Sequence, residues 1–123
     1  MKKWSDEEGV EFRNSDACYG RGYDPDVGAM DVAKIFIRGR YPASGWGYLE
    51  ESHEMVVITR GSGYIETKDG EREELVAGDV VYIEPLKRFR WDGDFDMIVP
   101  CGPAFDPAKH KYEDEVKEEN DEV

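Results

Sequence analysis

MVVITRGSGYIETKDGEREELVAGDVVYIEP, residues 55–85, decides the fold class. β-Branched and aromatic runs are interrupted by Gly61-Ser62-Gly63, Lys68-Asp69-Gly70 and Ala77-Gly78-Asp79. Asp-Gly is a strong hairpin signal because glycine adopts positive φ without steric cost. Short strands separated by turn residues in this way indicate an antiparallel sandwich or barrel rather than a parallel sheet covered by helices. Gly61-Ser62-Gly63 is read as a turn between two strands, and no helix of ordinary length is expected before the C-terminal tail.

The same stretch, extended on both sides, resembles the two motifs of the cupin superfamily. In GYLEESHEMVVITRGSG, residues 47–63, Glu54 is followed by six residues and then Gly61, which is the second half of the first motif. The two histidine positions of that motif fall on Tyr48 and Glu50. In GDVVYIEPLKRFRW, residues 78–91, Gly78, Asp79 and Pro85 match the second motif, Lys87 replaces its later glycine, and its histidine position falls on Arg90. The resemblance implies an all-β, single-domain jelly-roll barrel around a ligand pocket, without the usual histidine-rich metal cage. It also implies a homodimer, since cupins commonly pair.

Alternation along a strand lets the site residues be placed. If Glu54 faces inward, then Tyr48, Glu50, Ser52, Val56 and Ile58 share its face, and His53 does not. Tyr48, Glu50, Glu54 and Arg90 are therefore expected around the position where cupins hold a metal, with the aromatic rings of Tyr82, Trp46 and Trp91 as further cavity candidates. A guanidinium does not ligate metals. Arg90 is instead expected to pair with Glu50 or Glu54, or to receive an anionic ligand in bidentate fashion. The leading reading is thus a protein that binds a small polar or anionic molecule, with no confidently assigned cofactor. The alternative is a metal-dependent enzyme of isomerase, lyase or dioxygenase type, in which Glu50 and Glu54 hold a weakly bound divalent metal through oxygen. A third reading is a non-catalytic homodimeric assembly module.

Composition bounds these readings. The chain has 123 residues, 39% hydrophobic and 12% aromatic, enough for one core. Residues 1–31 are polar and Gly/Asp-rich and are expected to pack on the barrel or add an edge strand; the barrel is expected over 32–106, with Val32–Tyr41 as its first long strand; residues 107–123 are expected to be an acidic tail, a frayed helix or disordered. The net charge is −13, and residues 113–123 hold seven acids against one lysine. Such a balance disfavours nucleic acid as a partner, because its phosphates are bound largely through Lys and Arg.

Gly20-x-Gly22 lacks the strand, helix and further residues of a phosphate-binding loop. The opening MKKWSDEEGVEF has no apolar run of the kind found in a secretory signal, and no segment is long and apolar enough to cross a membrane, so a cytoplasmic location is expected. Cys18 and Cys101 have neither disulfide-framework nor zinc spacing and are read as reduced structural thiols. His110, past the last expected strand, is read as exposed. No spacing in the chain specifies a catalytic residue.

Overall fold

Two long, bent strands organise the molecule. The computed structural model describes residues 1–115. In chain order the strands are β1 (Val10–Ser15), β2 (Cys18–Tyr23), β3 (Asp31–Arg38), β4 (Trp46–Leu49), β5 (His53–Thr67), β6 (Arg72–Val76), β7 (Val80–Ile83), β8 (Phe89–Gly102) and β9 (His110–Glu113). Single turns of 3-10 helix at Asp6–Glu8 and Pro107–Lys109 are the only helical elements among the described residues, and neither is long and apolar enough to cross a membrane. The chain is all-β, and all pairings between strands are antiparallel.

β8 lies between β3 and β5 and pairs with both along most of its length. The far edge of β5 takes β7 against residues 54–57 and β6 against residues 62–66. On the other side, β2 and β1 extend the sheet beyond β3, so the N-terminal segment contributes two strands. β4 meets β8 at Phe89 and carries β9 on its other side. The sheet thereby curls on itself. Ordered strand structure continues to Glu113, past the barrel boundary expected at residue 106, because Glu113 is held by Lys68 and by Arg88, the latter at 3.3 Å. The part of the expected tail from residue 116 onward lies outside the described residues.

Gly61-Ser62-Gly63 is not a turn. These residues run through the middle of β5, just after a bulge between Ile58 and Arg60. The glycines are required by close approach to β8: a Cβ on Gly61 would lie 2.1 Å from the Asp94 carbonyl oxygen, and one on Gly63 would lie 2.3 Å from that of Asp92. Gly93, at φ 143°, meets Gly63 from the opposite strand. Local sequence gives the same glycine signal for a reversal and for a tight strand crossing. The real reversals are at Gly70, φ 101°, and Gly78, φ 99°. The second is tied to the bulge, since Gly78 N–H donates to Ile58 O at 2.8 Å and Ile58 N–H donates to Asp79 O at 2.9 Å. Asp79 also accepts from Val76 N–H at 2.8 Å, which explains why Gly-Asp is needed there.

Inward side chains follow the two-residue period. Ile37, Val56, Ile58, Phe95 and Val99 are essentially inaccessible to solvent, and Trp91 packs edge-on against both Phe89 and Phe95. Each such side chain contributes roughly 1.5–3 kcal/mol by leaving water. Around the middle of β5 and β8 the outward positions carry charge instead, with Arg60 bonded to Asp94 and Asp96, both at 3.0 Å. Gly63→Ala is expected to destabilise the protein by about 3 kcal/mol through overpacking at the crossing. Gly22→Ala, where an added Cβ meets nothing within 4 Å, is expected to change stability by less than about 0.5 kcal/mol. Urea denaturation of the two variants checks the contrast.

Candidate functional site

Curling leaves a cavity of about 810 Å³ inside the sheet. One wall is apolar, formed by Ile35, Leu49, Phe89, Trp91, Met97 and Val99. At one end the register of three neighbouring strands places chemistry-bearing residues side by side. Asp31 of β3 is in register with Cys101 of β8, and Cys101 with Glu54 of β5. All three line the cavity. Tyr48 of β4 and His110 and Tyr112 of β9 line it as well, as does Tyr41. The Tyr41 and Tyr112 hydroxyls are hydrogen-bonded to each other.

Glu54 is enclosed by protein and keeps only partial exposure, towards the cavity. Burial, together with the negative charge of Asp31, pushes its carboxyl up to about 7. Asp31 is also raised, by burial and by Asp24, although its carboxylate accepts a hydrogen bond from Phe105 N–H at 3.0 Å. Burial lowers His110, so its imidazole is neutral at neutral pH. Its ring lies 4.8 Å from that of Tyr112 and 5.6 Å from that of Phe105. Cys18 and Cys101 are free thiols; burial pushes Cys18 up to about 12 and raises Cys101 too, so neither supplies a thiolate.

The structure separates the residues that the motifs bring together in sequence. Glu54 and Tyr48 line the cavity, and an Arg88 guanidinium 3.5 Å from the ring centroid covers Tyr48. Glu50 is exposed, in the link between β4 and β5, where its N–H donates to Lys109 O at 2.9 Å. Alternation holds back to Ser52, which is buried and donates its hydroxyl to Pro103 O at 2.8 Å, and fails at Glu50, which is exposed. Arg90 is on the outer face of β8, since Phe89 and Trp91 on either side take the inward positions. It bonds to Glu66 at 3.1 Å and packs over Trp46 at 4.2 Å, and the expected pairing with Glu50 or Glu54 is absent. Tyr82 is exposed on β7 and shares a 2.7 Å hydrogen bond with His53 Nδ1. His110, expected to be exposed, lies in the cavity because β9 folds back onto β4.

These placements alter the electrostatic character of the pocket. Glu8, Asp24, Asp26, Asp31 and Glu54 line it, and among the described residues no Lys or Arg does. Arg90 therefore provides no anion receptor there. Nor do the motif positions fit a transition-metal cage. Glu50 is exposed and does not line the cavity with Glu54, and among the described residues no three His, Cys, Asp or Glu side chains converge as a metal-binding group.

Solved structures of cupin-fold proteins superpose on nearly the whole chain. The chain has the cupin fold. Streptomyces Pac13, in a variant with uridine, matches with a TM-score of 0.81 at 18% identity, over 98% of this chain and 96% of that one. Pac13 is a nucleoside dehydratase. Ectoine synthase from P. lautus matches with a TM-score of 0.71 at 15% identity, over 96% and 94% of the respective chains. A cupin-like protein from Thermotoga maritima matches at 0.66 and 18% identity, over 90% and 89%. No family model matches the chain, and no curated protein matches it in sequence. At such identities the likeness establishes the fold, and activity has to be argued from the site.

The raised carboxyl of Glu54 has a consequence for stability. Its folded value, about 7, lies above the ordinary 4.5, so the native state holds the proton more tightly than the unfolded chain. The contribution is complete below about pH 4.5 and is lost as pH rises through about 7. Glu54→Gln is expected to abolish this loss. Between pH 5 and pH 8 the wild-type protein should lose up to about 3 kcal/mol more stability than the variant, as measured by denaturant unfolding at each pH.

Proposed function

We propose that the protein binds a small molecule in this cavity and that Glu54 exchanges a proton with it. One observation carries the reading: an enclosed carboxyl facing a ligand-sized space and raised to about 7, with no hydrogen bond or opposite charge among the causes of that shift. Holding such a group against its preference for water is costly, and sites that do so are often functional. A carboxyl near neutrality can accept a proton and return it within one turnover. The neutral His110 and the Tyr41 and Tyr112 hydroxyls supply hydrogen-bonding groups in the same space. The cavity volume suits a ligand of the size of a nucleoside or a drug-like molecule.

Pac13's uridine makes nucleosides reasonable first probes, and a dehydration is one reaction in which a carboxyl of this kind serves as base and then as acid. The two free buried thiols suit a reducing compartment such as the cytoplasm. Ligand-observed NMR against a panel that includes uridine and its relatives tests the location. Ala33 lines the cavity, and Ala33→Phe should weaken every specific hit by at least about tenfold. Hits unaffected in a folded Ala33→Phe protein would place binding elsewhere.

A second reading, homodimerisation, is favoured by the outer face of β5, β7 and β8. Met55, Val80, Tyr82 and Ile98 are 50%, 56%, 52% and 36% exposed there, and Val57 lies in register with both Val80 and Ile98. A contiguous apolar patch on a sheet face often marks an interface. Light scattering is expected to give a dimer for the wild-type protein and a monomer for the Met55→Glu/Val80→Glu double variant. A wild-type monomer at high concentration rejects this assembly.

A further inference from the structure

The acids of this protein fall into two populations. On the outer surface, carboxylates such as Asp94, Asp96, Glu66 and Asp69 are engaged by Arg60, Arg38, Arg90 and Lys87. The five that line the cavity take part in no ion pair among the described residues. The innermost, Glu54, is enclosed, and no donor among the described residues is bonded to its carboxyl. Asp31 stands in the same rung, separated from Glu54 by Cys101 alone. Two carboxyls in one enclosed space repel each other when both are ionised, and an incoming positive charge relieves that repulsion.

Aromatic surface adjoins these carboxylates. Phe105 is bound to Asp31 through its N–H, and it lines the cavity together with Trp4 and Phe12. Aromatic faces attract ammonium and guanidinium groups, more strongly where water is excluded. Carboxylates at one end and rings along the wall therefore match a molecule that is cationic at one end and apolar along its length.

We infer that the cavity selects an organic cation, with an amine or guanidine group set against Asp31 and Glu54 and a ring or hydrocarbon body against the aromatic and apolar wall. The inference rests on the cavity being the ligand site and specifies the class of ligand it takes. Calorimetric titration of the full chain with tryptamine, tryptophol and indole-3-propionate tests it, because one ring system then carries a cation, a neutral hydroxyl or an anion.

Tryptamine is expected to bind at least about tenfold more tightly than tryptophol, and indole-3-propionate most weakly. Glu54→Gln and Asp31→Asn should each lower tryptamine affinity about tenfold and leave tryptophol within about threefold. The wild-type comparison of amine with alcohol is decisive even if neither variant folds. Equal binding of amine and alcohol, or preference for the carboxylate, overturns the selection of a cation and leaves the cavity standing as a ligand site. Absence of binding by all three, together with NMR hits that ignore Ala33→Phe, overturns both. Displacement of tryptamine by millimolar Mg²⁺ or Ca²⁺ overturns the organic cation in favour of a metal ion.

Discussion

The close approach of β5 and β8 at Gly61, Gly63 and Gly93 is the constraint on which the rest of the structure depends. A Cβ at any of the three would lie within 2.6 Å of backbone on the opposing strand. With hydrogen there, two long strands remain paired through a sharp bend, and one end of β5 can pair with β7 while the other pairs with β6. The bend lets one sheet curl far enough to enclose space. Without it, the inward faces of β3, β5 and β8 would form a flatter surface, and Asp31, Cys101 and Glu54 would face solvent.

Enclosure then determines the chemistry. An exposed Glu54 would be an ordinary surface carboxylate; inside the curl, loss of water and proximity to Asp31 bring its proton affinity near neutrality. The same enclosure has the opposite effect on His110, whose charged form is the one that loses water, and holds Cys18 and Cys101 as protonated thiols. The cost of sheltering these groups is offset by the apolar packing of Ile37, Val56, Phe95 and Val99 on the same strands. Rigid strands carry the polar rung, so its geometry is fixed by sheet register rather than by loops.

Much of the fold was legible in residues 47–91. Turn glycines at Gly70 and Gly78, the Gly-Asp pair and the strand runs all have local causes, and local causes can be read from sequence. Gly61-Ser62-Gly63 was misleading because close approach and chain reversal make the same demand for small residues. Glu54 was legible as an inward residue of its strand. Asp31 and His110 were not, because nothing near them in sequence signals a cavity. Each enters it through a partner strand distant in the chain, β8 for Asp31 and β4 for His110.

Local sequence dictates an all-β chain, with glycines and a glutamate that resemble the scaffold positions of the cupin motifs and no histidine at the expected places. Those properties follow from backbone conformations and strand periods that neighbouring residues impose. Which polar groups share a space is a matter of tertiary packing. It turned Arg90, Glu50 and Tyr82 away from the cavity and brought Asp31, Tyr41 and His110 to it, because side-chain direction depends on bulges, links and register between strands far apart in the chain. A pocket expected to favour anions thereby became one lined with carboxylates.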